Sequence, residues 1–96
     1  MKKTIYHRTM SVSESDFIRL LPLAFADKNV ALSHGTAESH GEGKHVRIEF
    51  APLQERQIGQ LRLPMLAISF ELEGYDASQT ADFMAGFDRC FHRGGG

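Results

Sequence analysis

The sequence predicts an α+β domain. A mainly antiparallel sheet carries two helices on one face, as a two-layer sandwich in the order β-α-β-β-(β)-β-α. Three observations lead there. The segments around Phe17 and Phe87 repeat apolar residues at helical spacing. The segments Val46 to Phe50 and Leu66 to Leu72 alternate apolar with polar residues, as a sheet covered on one side requires. Glycine-bearing stretches separate the strands after the first helix, and these favour hairpins.

The first strand is read from "KTIYHRTMSV", whose Tyr6, Met10 and Val12 share one alternating face. His7 and Arg8 fall on opposite faces of it, so either meets a carboxylate only through folding. A helix follows in "VSESDFIRLLPLAF". Ser13 is the N-cap and Asp16 stands three residues on. Val12 and Phe17 occupy the positions of a hydrophobic staple. Phe17, Leu20, Leu21 and Ala24 form its apolar stripe. Pro22 lies opposite that stripe, where the missing N–H predicts a kink or an early end. Asp27 to Asn29 close the segment as turn residues.

Two extended runs then flank "GEG" as a hairpin. The first alternates Val30 and Leu32 but loses its pattern at His34-Gly35, which suggests a bulge or a fraying end. The second sets Val46, Ile48 and Phe50 against His45, Arg47 and Glu49. In "LQERQIGQLRLP", Ile58, Leu61 and Leu63 fit neither period over the whole length, and "GQLRL" is read as a short separate strand. "MLAISFELEG" sets Leu66, Ile68, Phe70 and Leu72 against Ala67, Ser69 and Glu71. The closing helix opens on the capping-box pair Asp76 and Gln79. Its stripe is Thr80, Phe83, Met84, Phe87 and Phe91, and glycine stops it. Residues 1–93 form one domain on this reading, and residues 94–96 a flexible glycine tail.

Composition narrows the function classes. Eleven Lys and Arg nearly balance twelve Asp and Glu over 96 residues, so no strong field favours nucleic acid or an anionic membrane. One cysteine, Cys90, rules out an internal disulfide, and on the border of an apolar stripe it reads as an inert thiol. "MKKTIYHRTM" has no apolar run behind its lysines and reads as no secretory signal, which places the chain in the cytoplasm. No phosphate loop, nucleophile elbow or paired acid motif is visible, and Cys90 and His92 do not face one another on a helix. The reading is non-enzymatic, with no cofactor.

Three features invite a site. His34, His40 and His45 lie among Glu38 and Glu42, residue types that bind zinc, copper or nickel. A hairpin closed at Gly41 to Gly43 brings His40 and His45 together across the ladder, although the spacing matches no established ligand motif, and solvent-facing turn residues are the plainer reading. The terminus Arg93-Gly94-Gly95-Gly96 is similar to that of sulfur-carrier and ubiquitin-like proteins, which implies use of the Gly95-Gly96 carboxylate. The element order nevertheless lacks their opening hairpin, and the tail leaves a helix instead of a strand. Ala67 and Ser69, small residues on the polar side of the clearest strand, admit close approach by another sheet. The function expected is therefore protein–protein contact through that face, with a second copy of the chain or another protein as partner. The carrier is the alternative.

Overall fold

A computed structural model describes residues 3–25, 30–41 and 43–92. The elements are β1 (Lys3–Met10), α1 (Glu14–Leu20) with a 3-10 turn over Leu21–Phe25, β2 (Val30–Ser33), β3 (Thr36–Gly41), β4 (Lys44–Ile58), β5 (Leu61–Glu73) and α2 (Ala77–His92). The strands form one five-stranded antiparallel sheet in the order β1-β5-β4-β3-β2. Mixed α+β is thus the class. The expected turn at Asp27 to Asn29, Glu42, and the tail with Gly95 and Gly96 lie outside the described residues.

Both helix starts follow local chemistry. The Ser13 hydroxyl accepts from the Asp16 backbone N–H at 3.2 Å, and Val12 packs against the core cluster to which Phe17 belongs. At α2 the capping is reciprocal. Gln79 N–H donates to the Asp76 carboxylate at 2.8 Å and Asp76 N–H donates to the Gln79 side chain at 3.0 Å. The α-helical turn ends at Leu20 and tightens to 3-10 geometry through exposed Pro22. Without an N–H, Pro22 cannot continue the ladder, so the predicted early end occurs while Leu21 and Phe25 stay buried.

The core lies between the helices and one face of the sheet. Val46, Ile48 and Phe50 of β4 and Leu66, Ile68, Phe70 and Leu72 of β5 meet Phe17, Leu21, Phe25, Met84 and Phe87. Aromatic contacts tie the elements together. Phe17 stands 4.9 Å from Phe50, and Phe70 stands 4.8 Å from Phe87 in an edge-on arrangement. Arg8, on the helix side of β1, reaches Asp88 of α2.

Two expectations need correction. The break at His34-Gly35 is a tight turn between two strands, neither a bulge nor a frayed end. Gly35 adopts φ +71 there, and its carbonyl accepts from Phe50 N–H at 2.9 Å. "GQLRL" is likewise no separate strand. "LQERQI" extends β4, Gly59-Gln60 make the turn, and Leu61 begins β5. The tally of five strands holds while its members change.

Ser39 carries a prediction. It is 3% exposed on the core side of β3, opposite Val46 and Val30, and its hydroxyl finds no partner among the described residues. A desolvated, unpaired hydroxyl costs about 1–3 kcal/mol. Ser39→Ala removes it and leaves almost no void, so urea unfolding should show a gain of about 1 kcal/mol.

Candidate functional site: the bare sheet face and the β4–β5 arm

Residues directly opposed in an antiparallel ladder point to the same face. The register therefore assigns the side of the sheet away from the helices. Lys3, Ile5, His7 and Thr9 of β1 lie on it, opposite Glu73, Glu71, Ser69 and Ala67 of β5. Across β4 come His45, Arg47, Glu49 and Ala51, and β3 adds Thr36, Glu38 and His40. No described element covers this face. Its centre is a shallow saddle of about 320 Å³ whose floor includes Ala51, Ala67 and Ser69, with His7 and Glu49 at its sides. Small side chains there leave the backbone open to close approach.

The saddle runs out into an arm. Pairing of β4 with β3 stops at Glu49, and pairing of β5 with β1 stops at Leu66. Beyond those points β4 and β5 continue as a two-stranded ribbon to the turn at Gly59-Gln60, and residues 51–62 are all exposed. The molecule measures 47 Å along its long axis against 26 and 22 Å across.

A bulge organises the arm. Leu53 opposes Met65, but the next pair is Arg56 with Leu63, so Gln54 and Glu55 together face Pro64. Proline has no N–H for the ladder, and a bulge is where a sheet tolerates one. The extra residue changes the parity of β4, and Ile58 lands opposite Leu61. Leu53, Ile58, Leu61, Leu63 and Met65 thereby share the side that carries Ala51 and Ala67, with Arg56 as the one charged residue among them. Leu53 is 46% exposed, Ile58 52% and Leu61 65%, a solvent-facing apolar stripe continuous with the saddle.

Charge on this face is mixed and largely paired. Arg47 donates to Glu49 at 3.0 Å, and Lys3 lies 3.8 Å from Glu71. At the opposite end from the arm, His40 and His45 are cross-strand partners with stacked rings 4.3 Å apart, and Glu38 stands 3.0 Å from His45. His34, in the β2–β3 turn, does not belong to that group. Cys90 is half-buried and lines a cavity of about 380 Å³ with Pro64, Phe91 and residues of α1.

Comparison with known proteins gives no guide. No protein-family model, curated protein or solved structure matches this chain. Function must come from the surface itself. Of the residues singled out from the sequence, the structure brings Ala67 and Ser69 to the saddle and His40 and His45 together. Sequence reasoning missed Ala51, Leu53 and Met65 as neighbours of Ala67. A proline facing two polar residues in an otherwise extended stretch was the available signal for the bulge that aligns them. Among the described residues, no helix is long and apolar enough to cross a membrane.

Proposed function

We propose that the chain is a two-layer α+β sandwich whose bare sheet face and β4–β5 arm form a self-association surface, so that it acts through protein contact as a homodimer. One observation carries this reading: the bulge gathers the exposed apolar residues of the arm on the same side as the small-residue saddle. A stripe of that kind on a monomer leaves hundreds of square ångströms of apolar surface in water.

A second copy is the occupant of choice. Sheets stack face to face at about 10 Å, a separation that Ala51, Ala67, Ser69 and Thr9 permit. A strand as long as β5, 13 residues, runs roughly 43 Å at about 3.3 Å per residue. With β4 (15 residues) and β1 (8 residues) beside it, each strand about 4.8 Å wide, the face presents roughly 570 Å² in projection. A stable complex removes about 800 Å² of accessible surface per partner, so the patch has the right scale. Around the saddle the nearest charges are paired, Glu49 with Arg47 and Glu71 with Lys3, so little unpaired charge opposes a meeting with its own image about a two-fold axis.

The test is Ala67→Arg beside the arm variant Leu61→Asp. An arginine on the saddle would meet its own copy across the axis, so each change should weaken dimerisation at least roughly tenfold. Light scattering after size exclusion reads the mass, and circular dichroism should show an unaltered fold because neither residue is in the core. Variants that keep the wild-type mass would overturn the reading. A wild-type chain that stays monomeric yet binds a different protein through the same residues would replace the second copy with that partner.

A further inference from the structure

The end of the bare face remote from the arm holds a second arrangement of side chains. Glu38 and His40 of β3 and His45 of β4 each offer one ligand atom, and these atoms all lie within 4.8 Å of one another. The sheet makes this happen. His40 and His45 are directly opposed, Glu38 is two residues from His40 on the same face, and the diagonal places it beside His45. Glu73 of β5 is directly opposite His45 on the other side.

We propose that Glu38, His40 and His45 bind one divalent transition-metal ion of the zinc class, with Glu73 as the positioning residue for His45. Two imidazoles and one carboxylate suit zinc, nickel or copper, whereas magnesium and calcium call for an all-oxygen shell. Nε2 of His45 faces Glu38 at 3.0 Å, while Nδ1 faces Glu73 at 3.8 Å. When Nε2 takes the metal, Nδ1–H is directed at a carboxylate, the second contact that orients most metal-bound histidines.

Competing cations are held elsewhere. Arg47 is committed to Glu49, and the Lys44 ammonium lies 5.2 Å from the centre of the Tyr75 ring on the helix side. A concavity of about 220 Å³ along Gly41, Gly43, Lys44, His45 and Glu73 leaves space beside His45 for water in the remaining coordination position.

The ligands must draw in slightly. Metal–ligand bonds of about 2.0–2.2 Å set tetrahedral ligand atoms roughly 3.4 Å apart. The two rings now stack at 13° between planes, and their lone pairs lie in those planes, so one ring must turn. His40 is exposed and free to do so.

Titration calorimetry of the untagged full chain with ZnCl2 tests the site. One ion per chain is expected, with no heat from MgCl2. His40→Gln and His45→Gln should each abolish saturable binding, and Glu73→Gln should weaken it about 10- to 100-fold. His34→Gln and His7→Gln should leave it unchanged. In parallel, zinc should shift the ring-proton resonances of His40 and His45 in the folded wild type, a readout that does not depend on any variant folding. Absence of saturable zinc binding, binding that survives both His40→Gln and His45→Gln, or ring shifts confined to His7 or His34 would overturn the proposal.

Discussion

Phe17→Ala is expected to remove about 3–5 kcal/mol of folding free energy, the range for deleting a fully buried aromatic ring. Phe17 is 0% exposed and is the point where α1, β4 and α2 meet. Its ring lies 4.9 Å from Phe50, 5.2 Å from Phe91 and 6.2 Å from Phe87. It also supplies one half of the staple that sets the entry of α1, so its loss loosens the helix start as well as the core. A domain of this length has roughly 5–14 kcal/mol to lose, and each kcal/mol shifts the melting midpoint by about 4–8 °C. Thermal and urea unfolding, compared at one protein concentration, should therefore show a midpoint lower by about 12–40 °C. A loss below about 1 kcal/mol would mean that the helices do not pack on the sheet as described.

Gly74→Ala should be comparably damaging through the backbone. Gly74 links β5 to α2 with φ +82, a conformation that L side chains rarely adopt. Space is the larger obstacle. A Cβ built there collides with the backbone carbonyl oxygen of Gly43, which cannot swing aside as a flexible side chain would. Either the β3–β4 turn or the junction to α2 must move. About 3 kcal/mol or more is expected from the collision and the left-handed backbone together. Gly43→Ala separates the two causes. Gly43 has φ +67 but open space around it, so that variant should lose only about 1–2 kcal/mol. Equal losses in the two variants, read by denaturant unfolding, would contradict the close approach of Gly74 to the β3–β4 turn.

What the sequence showed depended on whether a face is buried. Where one side of a strand meets the core, burial selects apolar residues at every second position. Val46 to Phe50 and Leu66 to Leu72 therefore announced both their strands and their inward faces. The helix starts were equally legible, because capping is local: Ser13, Asp16, Asp76 and Gln79 make their contacts within one turn.

The arm was illegible for the converse reason. Neither of its faces is covered within the chain, and the bulge at Gln54-Glu55 moves Ile58 from one parity to the other. A strictly periodic reading of "LQERQIGQLRLP" had to fail. The turn at His34-Gly35 was misread because β2 is only four residues long at a sheet edge. So short a strand gives little alternation to see. Of the two sites, the Ala67–Ser69 surface was visible from alternation alone, and the His40–His45 pair from the glycine turn between them. Glu73, from a strand 28 residues beyond His45, could be added only by the fold.

Self-association through the bare face is decided most directly by sedimentation equilibrium of the untagged wild-type chain, from submicromolar to high micromolar concentration. A reversible rise from the 10.7 kDa chain mass to twice that value is predicted, with no larger species, because a face that meets its own image closes after two copies. A single mass of one chain at every concentration would contradict it.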